Sequence, residues 1–333
     1  MTVIVTRLLL LLVLLAGPAR AEVGSITFAR QIGIAYLPFL IMQEDHLIEK
    51  HAALLGHPGL AVDWTVLTSG AAANDGLLSG QLAFGVGAVP AMLVLWDKTH
   101  AGSNAIRGVT GVAVMPTTLN TSNPDIHSIK DFTEKDRIAL PAVKVSNHAI
   151  VLEMAAAAAF GPENWGRLDP ITVGLPHPDA AGALMGKTRG QVDAHFASPP
   201  FDVFELRSPQ VHTVLSSVDV MGDTSLTVLW TTERFAAANP VVVRSVYDAV
   251  QDALAGINAD KAAAGARYLR LSGDKIAAED LAAVLGNPHV RFEAAPLGMM
   301  AFARFMKQTG LVRSVPAAWT DLFFPAAQAL PGN

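Results

Sequence analysis

Cysteine is absent from the 333 residues. That excludes structural disulfides and thiolate metal sites. Charge is sparse, with 16% Asp, Glu, Lys and Arg and a formal net charge of −5. There is no basic block and no Lys/Arg face interleaved with aromatics, so nucleic acid is not an expected partner. No H-E-x-x-H occurs. His46 and His51 are five apart, His195 and His212 fall on separate strand-like runs, and His148 and His177 open separate helical segments. None of these spacings makes a metal set, so no metal is expected. A G-x-S-x-G elbow is missing. "GVGAVP" (85–90) has Pro90 where a dinucleotide turn needs its third Gly, and "GALMGKT" (182–188) has one residue too few between its glycines for a phosphate loop. The acidic pairs Glu44-Asp45 and Glu134/Asp136 lie in polar segments and read as exposed faces. With no nucleophile and base assembled, neither an enzyme nor a cofactor is expected. A fixed-period repeat is also lacking.

The N-terminus carries the clearest local pattern. "MTVIVTRLLLLLVLLAGPARA" places Arg7 before the apolar run Leu8–Ala16, then Gly17-Pro18, then the small-x-small Ala19-Arg20-Ala21. This is the layout of a cleavable secretory leader over 1–21. The run is shorter than the roughly 20 residues a membrane span needs. Residues 1–21 hold two positive charges and no acids, so −5 becomes −7 after cleavage. With no Cys to take a lipid anchor, the mature chain is expected to be soluble and periplasmic.

Hydrophobic residues make up 51% of the chain, and from Ile26 they recur as short strand-like runs, each followed by a small or Pro-containing junction and a helical pattern. "ITFARQIGIA" leads to "YLPFLIMQEDHLIEKH", "LAVDWTVL" to "TSGAAANDGLLSG", and "QLAFGV" to "GAVPAMLVLWDKT". After the strand "AIRGVTGVAVM" come "RIALPAV" before "KVSNHAIVLEMAAAAAFG", "DPITVGL" before "PHPDAAGALMG", and "QVDAHFA" before "SPPFDVFELR". Strands alternating with helices predict α/β architecture with mostly parallel sheets flanked by helices. A polar cluster at Asn120–Asp125 marks one break, and "VHTVLSSVDVMGDTSLTVLWTT" a second: two strands joined by a polar, Gly-containing crossing. Beyond it, helices are expected at Val241–Asn258, Ala259–Leu271, Lys275–Leu285 and Leu297–Thr309. The economical arrangement is lobe I from 22–115 plus 223–333, with lobe II, 116–222, inserted. Two sequential domains are the alternative.

In an open α/β sheet, ligands bind beyond the carboxyl ends of strands, where helix starts offer free N–H groups and a positive dipole end. Six junctions have small, polar or kinked residues suited to that role: Tyr36 to Phe39, Ser69 to Ala71, Gly87 to Pro90, Ser146 to His148, His177 to Asp179, and Ser198 to Pro200. Ordinary capping explains any one of them. Three in each lobe, at the same end of its sheet, point to a cleft. Gly70, Ala71, Gly87 and Ala88 are then expected to be small so that a ligand can approach. Trp64, Trp96 and Trp230 read as core, while Phe196 and Phe201 flank the Ser198 junction.

Several of these stretches together resemble periplasmic substrate-binding proteins of ABC importers, in the nitrate/sulfonate/taurine branch related to thiamine-pyrimidine-precursor binders. They are "YLPFLIMQEDHLIEKH", "SGAAANDGLLSGQLAFGVGAVPAMLVLWDKT", "TLNTSNP", "SIKDFTEKDRIALPAVKVSNHAIVLEMAAAAAFG", "HPDAAGAL" and "VDAHFASPPFDVFEL", covering most of 32–207. The resemblance implies a type II-like two-lobe fold that closes on a small solute. It implies ligand contacts at Tyr36, Phe39, Ser69, Gly70, Gly87, Ala88 and Val89 from lobe I, and at Ser146, Asn147, His148, His177, Asp179 and Ser198 from lobe II. Relatives that hold a sulfonate-like anion often add a basic side chain, but the junctions here contain no Arg. Lys144 is near one, and His148 and His177 remain as donors. Asp179 suits an amine such as that of taurine. The implied role is capture of a sulfonate-, taurine- or nitrate-like solute by a monomer and delivery to an inner-membrane permease. The alternatives are a pyrimidine-precursor binder, a partner of a membrane sensor, or an enzyme on the same fold.

Overall fold

The computed structural model describes residues 22–67, 69–186 and 191–333. The leader expected over 1–21, and the Lys187-Thr188 end of the phosphate-loop-like run, lie outside them.

Strand β1, Ser25–Arg30, buries Ile26, Phe28 and Ala29. Three residues beyond its end stands Gly33, whose φ of 117° is a conformation that L side chains rarely adopt. The chain then makes a 3-10 turn at Ile34–Tyr36 and enters α1, Leu37–Glu44. Pro38 stands in the first turn of α1, where its missing N–H is not needed. After α2, Leu47–Leu54, strand β2, Ala61–Val66, runs parallel to β1 in the register Ser25 opposite Ala61. Next come α3, Gly70–Ser79, β3, Gly85–Gly87, α4, Val89–Thr99, and the buried strand β4, Ile106–Val114.

Beyond β4 the structure departs from the sequence pattern. Asn120 and Thr121, expected to open a break, belong to an interior strand, β5, Thr118–Thr121, paired with strands on both sides. Its polar Asn120 is fully buried because its amide is satisfied inside the fold. The break falls just after, where Asn123 Oδ1 accepts the Asp125 N–H. The chain continues through β6, Ile138–Leu140, α5, Asn147–Phe160, a 3-10 stretch at Pro162–Ile171, β7, Thr172–Gly174, α6, His177–Met185, β8, Ala194–Ala197, α7, Phe201–Glu205, and β9, His212–Ser216. The polar crossing after β9 contains a short helix, α8, Ser217–Met221, which Ser216 caps, and β10, Ser225–Thr232, follows.

The remaining elements are helical: α9, Glu233–Ala238, α10, Pro240–Ala259, α11, Lys261–Ser272, α12, Ala278–Gly286, α13, Met299–Gln308, and α14, Pro325–Gln328. The four expected C-terminal helices have their counterparts in α10 to α13. Asp260 separates α10 from α11 by accepting the Ala263 N–H at 2.9 Å.

The strands form sheets ordered β1-β2, β3-β10-β4 and β7-β6-β8-β5-β9. All strands of the third sheet lie between residues 118 and 216. The sheets are mixed where mostly parallel ones were expected. The β1/β2, β6/β7 and β6/β8 pairs are parallel, while β10 and β5 run antiparallel to their partners. β4 carries the chain out to the strands between 118 and 216, and β10 brings it back to run antiparallel alongside. One apolar core lies under β1, β3 and β4 against α1, α2 and α10 to α12. A second runs from α4, β10 and α13 into β6, β8 and α5, and includes Trp96 and Trp230. Trp64 is half-buried against Phe28, with ring centroids 4.9 Å apart. Glu44 and Asp45 close α1 against Arg267 of α11, at 2.6 and 2.8 Å. Asp136, expected to be exposed, is buried because it accepts the Thr133 N–H at 2.7 Å and hydroxyl at 2.8 Å.

Candidate functional site

Four helices begin at one cavity of about 110 Å³, compared with the roughly 10–15 Å³ that a single water needs. They are α3, α4, α5 and α6, of 10, 11, 14 and 9 residues. The N-cap residues Ser69, Ala88, Ser146 and Pro176 all line it. Ser69 Oγ accepts the Ala72 N–H at 3.3 Å and Ser146 Oγ accepts the Ala149 N–H at 3.2 Å. The starts of α4 and α6 have no side-chain cap and carry Pro90 and Pro178 in their first turns. First-turn N–H groups without an intrahelical partner, together with four positive dipole ends, favour a ligand with acceptor oxygens.

Of the sequence-predicted residues, Tyr36, Ser69, Gly70, Ala88, Ser146, Asn147, His148, His177 and Ser198 line this cavity. Four do not. Phe39 is fully buried, with its ring 5.4 Å from Phe28 and 6.2 Å from Tyr36, so it serves the core behind the wall. Val89 is likewise fully buried, among the apolar residues of the second core. Gly87 lies inside β3, and Asp179 is exposed on the first turn of α6. Among the lining residues that the sequence pattern missed are Gln31, Ile32, Gly33, Pro141 and Leu226. These are ordinary loop and strand residues with no chemistry to mark them.

The small residues have two explanations. A Cβ on Gly70 would stand 2.7 Å from the Ala91 Cβ, and one on Gly87 would stand 3.1 Å from the Gly70 Cα. Gly70 and Gly87 are therefore small because the start of α3 packs on β3 and α4, a correction to the expectation that ligand approach requires it. Ala71 and Ala88 do line the cavity. On the facing side, a Cβ on Gly33 would meet the Pro199 carbonyl oxygen at 3.5 Å, so the two sides are in close contact there.

No charged side chain lines the cavity among the described residues. Its polarity comes from buried neutral groups. Burial holds the His148 and His177 imidazoles well below the ordinary histidine range, and their neighbouring histidines push the same way. His148 Nε2 lies 2.8 Å from Ser198 Oγ, which is nucleophile–base spacing. However, His148 Nδ1 is buried with no partner, so the third, orienting group of a triad is missing. Asn147 Oδ1 is also buried and unpartnered. Each such orphan costs about 1–3 kcal/mol unless something supplies its bond, and both belong to residues of the cavity wall.

Behind the wall runs a chain that the sequence pattern did not reveal. His177 Nδ1 lies 2.8 Å from His195 Nε2, and His195 Nδ1 is in short contact with Glu205 Oε1. Asn120 donates to Glu205 Oε2 at 2.9 Å and accepts from the Thr213 hydroxyl at 2.8 Å. Burial pushes Glu205 up to about 8 and His195 down to about 3. The sequence-level sign would have been His195 itself, a polar residue inside the apolar run "DAHFA".

The NMT1-like family model matches residues 25–269. Among solved structures, the chain is similar to the alkanesulfonate-binding protein SsuA of Xanthomonas axonopodis pv. citri bound to MOPS, at 17% identity, covering 94% of this chain and 100% of that one with a TM-score of 0.67. It is also similar to the periplasmic aliphatic sulphonate-binding protein SsuA of Escherichia coli, at 18% identity, 91% and 99% coverage and a TM-score of 0.64. The periplasmic nitrate-binding protein NrtA of Synechocystis PCC 6803 matches at 14% identity, 78% and 69% coverage and a TM-score of 0.60. No curated protein matches the sequence. These likenesses establish the periplasmic-binding-protein fold.

Proposed function

The chain belongs to the NMT1-like family, and on that premise we propose that it is the extracytoplasmic solute-binding subunit of an ABC importer. The observation that carries this is the convergence of four helix starts on one cavity with no charged lining side chain among the described residues. Such a cavity holds a compact solute through its acceptor oxygens, with backbone N–H groups and neutral imidazoles as donors. A sulfonate- or nitrate-like group has that chemistry, and the names of the structural neighbours point the same way. The orphaned atoms of Asn147 and His148 gain partners when the solute and its waters enter.

The leader pattern over 1–21 supports export, and no described helix is long and apolar enough to cross a membrane. In this proposal residues 22–115 plus 223–333 form lobe I and 116–222 form lobe II, hinged at the β4–β5 and β9–β10 crossings. The solute closes the lobes through contacts made only in the closed form. The closed monomer then presents its cleft-mouth surfaces to the permease. Binding without chemistry fits the incomplete Ser198–His148 pair.

Thermal unfolding against nitrate, taurine, alkanesulfonates, aromatic sulfonates, small carboxylates and pyrimidines tests the reading. A solute at 100 times its Kd adds about 2.7 kcal/mol of stability, so an upward shift with one oxyanion class is expected. A shift with pyrimidines alone would replace the oxyanion with a heterocycle. No shift with any of them would contradict the proposal.

A further inference from the structure

The buried chain Glu205–His195–His177 starts at an interior carboxyl and ends at the cavity wall. His177 uses Nδ1 for His195, which leaves Nε2 for the cavity that the residue lines. Its ring is held in place by Phe201, stacked at 5.6 Å and 21°, and by His148 in a T-shaped contact at 5.0 Å. At the other end Asn120 is anchored three ways: it donates to Glu205 Oε2 and to the Asp202 carbonyl, and accepts from Thr213. Because Asn120 donates to Oε2, the contact with His195 belongs to Oε1.

The hydrogen-bond bookkeeping then has only two solutions. In the first, Glu205 and His195 share one proton. Whichever of the two holds it, His195 Nε2 carries a hydrogen and donates to His177 Nδ1. His177 must then carry its own hydrogen on Nε2 and presents an N–H to the cavity. In the second, that proton is gone. His195 donates from Nδ1 to the carboxylate, its Nε2 becomes an acceptor, and His177 donates from Nδ1. The cavity then meets a lone pair. We propose that Glu205 is a positioning residue that, through His195, sets His177 Nε2 as a donor and so selects solutes that offer an acceptor oxygen. This rests on the cavity being the solute site only for its ligand half; the relay itself is a property of the free protein.

The groups around Glu205 keep the first state in place near neutral pH. Asp202, on the same helix, is buried, and its carboxyl is pushed up to about 7 by burial and by Glu205 itself. From β8 comes only His195 and from β5 only the neutral Asn120. Helix α6 brings His177, with Asp179 exposed beyond it, and α12 brings Asp280, paired with Arg207. Burial dominates at Glu205 and holds its proton past neutrality.

Nitrogen NMR of the histidine rings in the purified protein, without any solute, reads the relay directly. At pH 7 His177 should be the neutral Nε2–H tautomer. Between pH 7 and 10 the wild type should convert to the Nδ1–H tautomer, while Glu205→Gln, whose amide N–H replaces the shared proton, should hold the Nε2–H form throughout. A His177 found as the Nδ1–H tautomer at pH 7, or a wild type whose tautomer never changes, would overturn the relay. With ethanesulfonate as the probe, which stays ionised over this range, wild-type affinity should fall about ten-fold or more from pH 7 to 10, and fall much less in Glu205→Gln. Equal pH profiles for the two proteins would overturn the ligand half. Failure of ethanesulfonate to bind at any pH would count against the solute site, while the solute-free spectra still decide the relay.

Discussion

Glu205 ordinarily titrates near 4.5, and burial carries it to about 8 in the folded chain. The folded protein therefore holds a proton that the unfolded chain releases. The stability this contributes is complete below pH 4.5 and is lost as pH rises toward 8, by at most about 1.4 kcal/mol per pH unit. Glu153, buried on α5 beside Asp169 and also raised to about 8, has the same sign. The lowered histidines have the opposite sign, since the unfolded chain takes up protons below about 6.5 that the folded one refuses. Denaturant unfolding from pH 5 to 9 should show a decline on the alkaline side that Glu205→Gln makes shallower. An identical decline in the variant would contradict the buried, protonated carboxyl. Asn147 is the other informative residue. Its unpartnered Oδ1 makes no bond that Leu would lose, so Asn147→Leu should leave the solute-free protein as stable or more stable while weakening solute binding. Loss of stability without loss of affinity would make Asn147 a structural residue. At this scale the sequence disclosed the wall better than its support. His148, His177 and Ser198 stand at helix starts visible in the local pattern. His195, Glu205 and Asn120 sit in three different elements, and only the packing of β5, β8 and α7 brings them together.

Among the elements, the meeting of α3, β3 and α4 sets the geometry of one side of the cavity. Gly70 and Gly87 let the start of α3 rest on the β3–α4 junction, with no room for another methyl group. Gly70→Ala should cost about 1–3 kcal/mol by overpacking, read as a lowered denaturation midpoint, and should weaken binding by pushing the α3 and α4 starts apart. A variant as stable as the wild type would restore the original idea that Gly70 is small for the ligand alone. Alternation of apolar runs with helical periods placed β1 through α4 and the four long C-terminal helices, because each buries its own stripe or face. It failed at β5, where Asn120 and Thr121 read as the start of a break. Buried partners satisfy Asn120, and the hydroxyl of Thr121 donates to the Asp193 carbonyl. Strand direction was also hidden, because local patterns do not record which way β10 returns past β4.

For the whole molecule, the proposal requires two bodies to close on the solute around the β4–β5 and β9–β10 crossings. An apolar core that continues from α4 and α13 into α5 keeps one flank of the joint packed, so closure should be a limited rotation. X-ray scattering should show a small decrease in radius of gyration on addition of the solute that raises the unfolding temperature. An unchanged profile would mean that the protein binds without closing.

The most direct test is a crystal structure of the protein grown with that solute. Its oxyanion is expected at the starts of α3 to α6, within hydrogen-bond reach of first-turn N–H groups and of His177 Nε2. Density for the solute in another place, such as the groove near Arg234 and Asn239, with the helix starts holding only water, would contradict it.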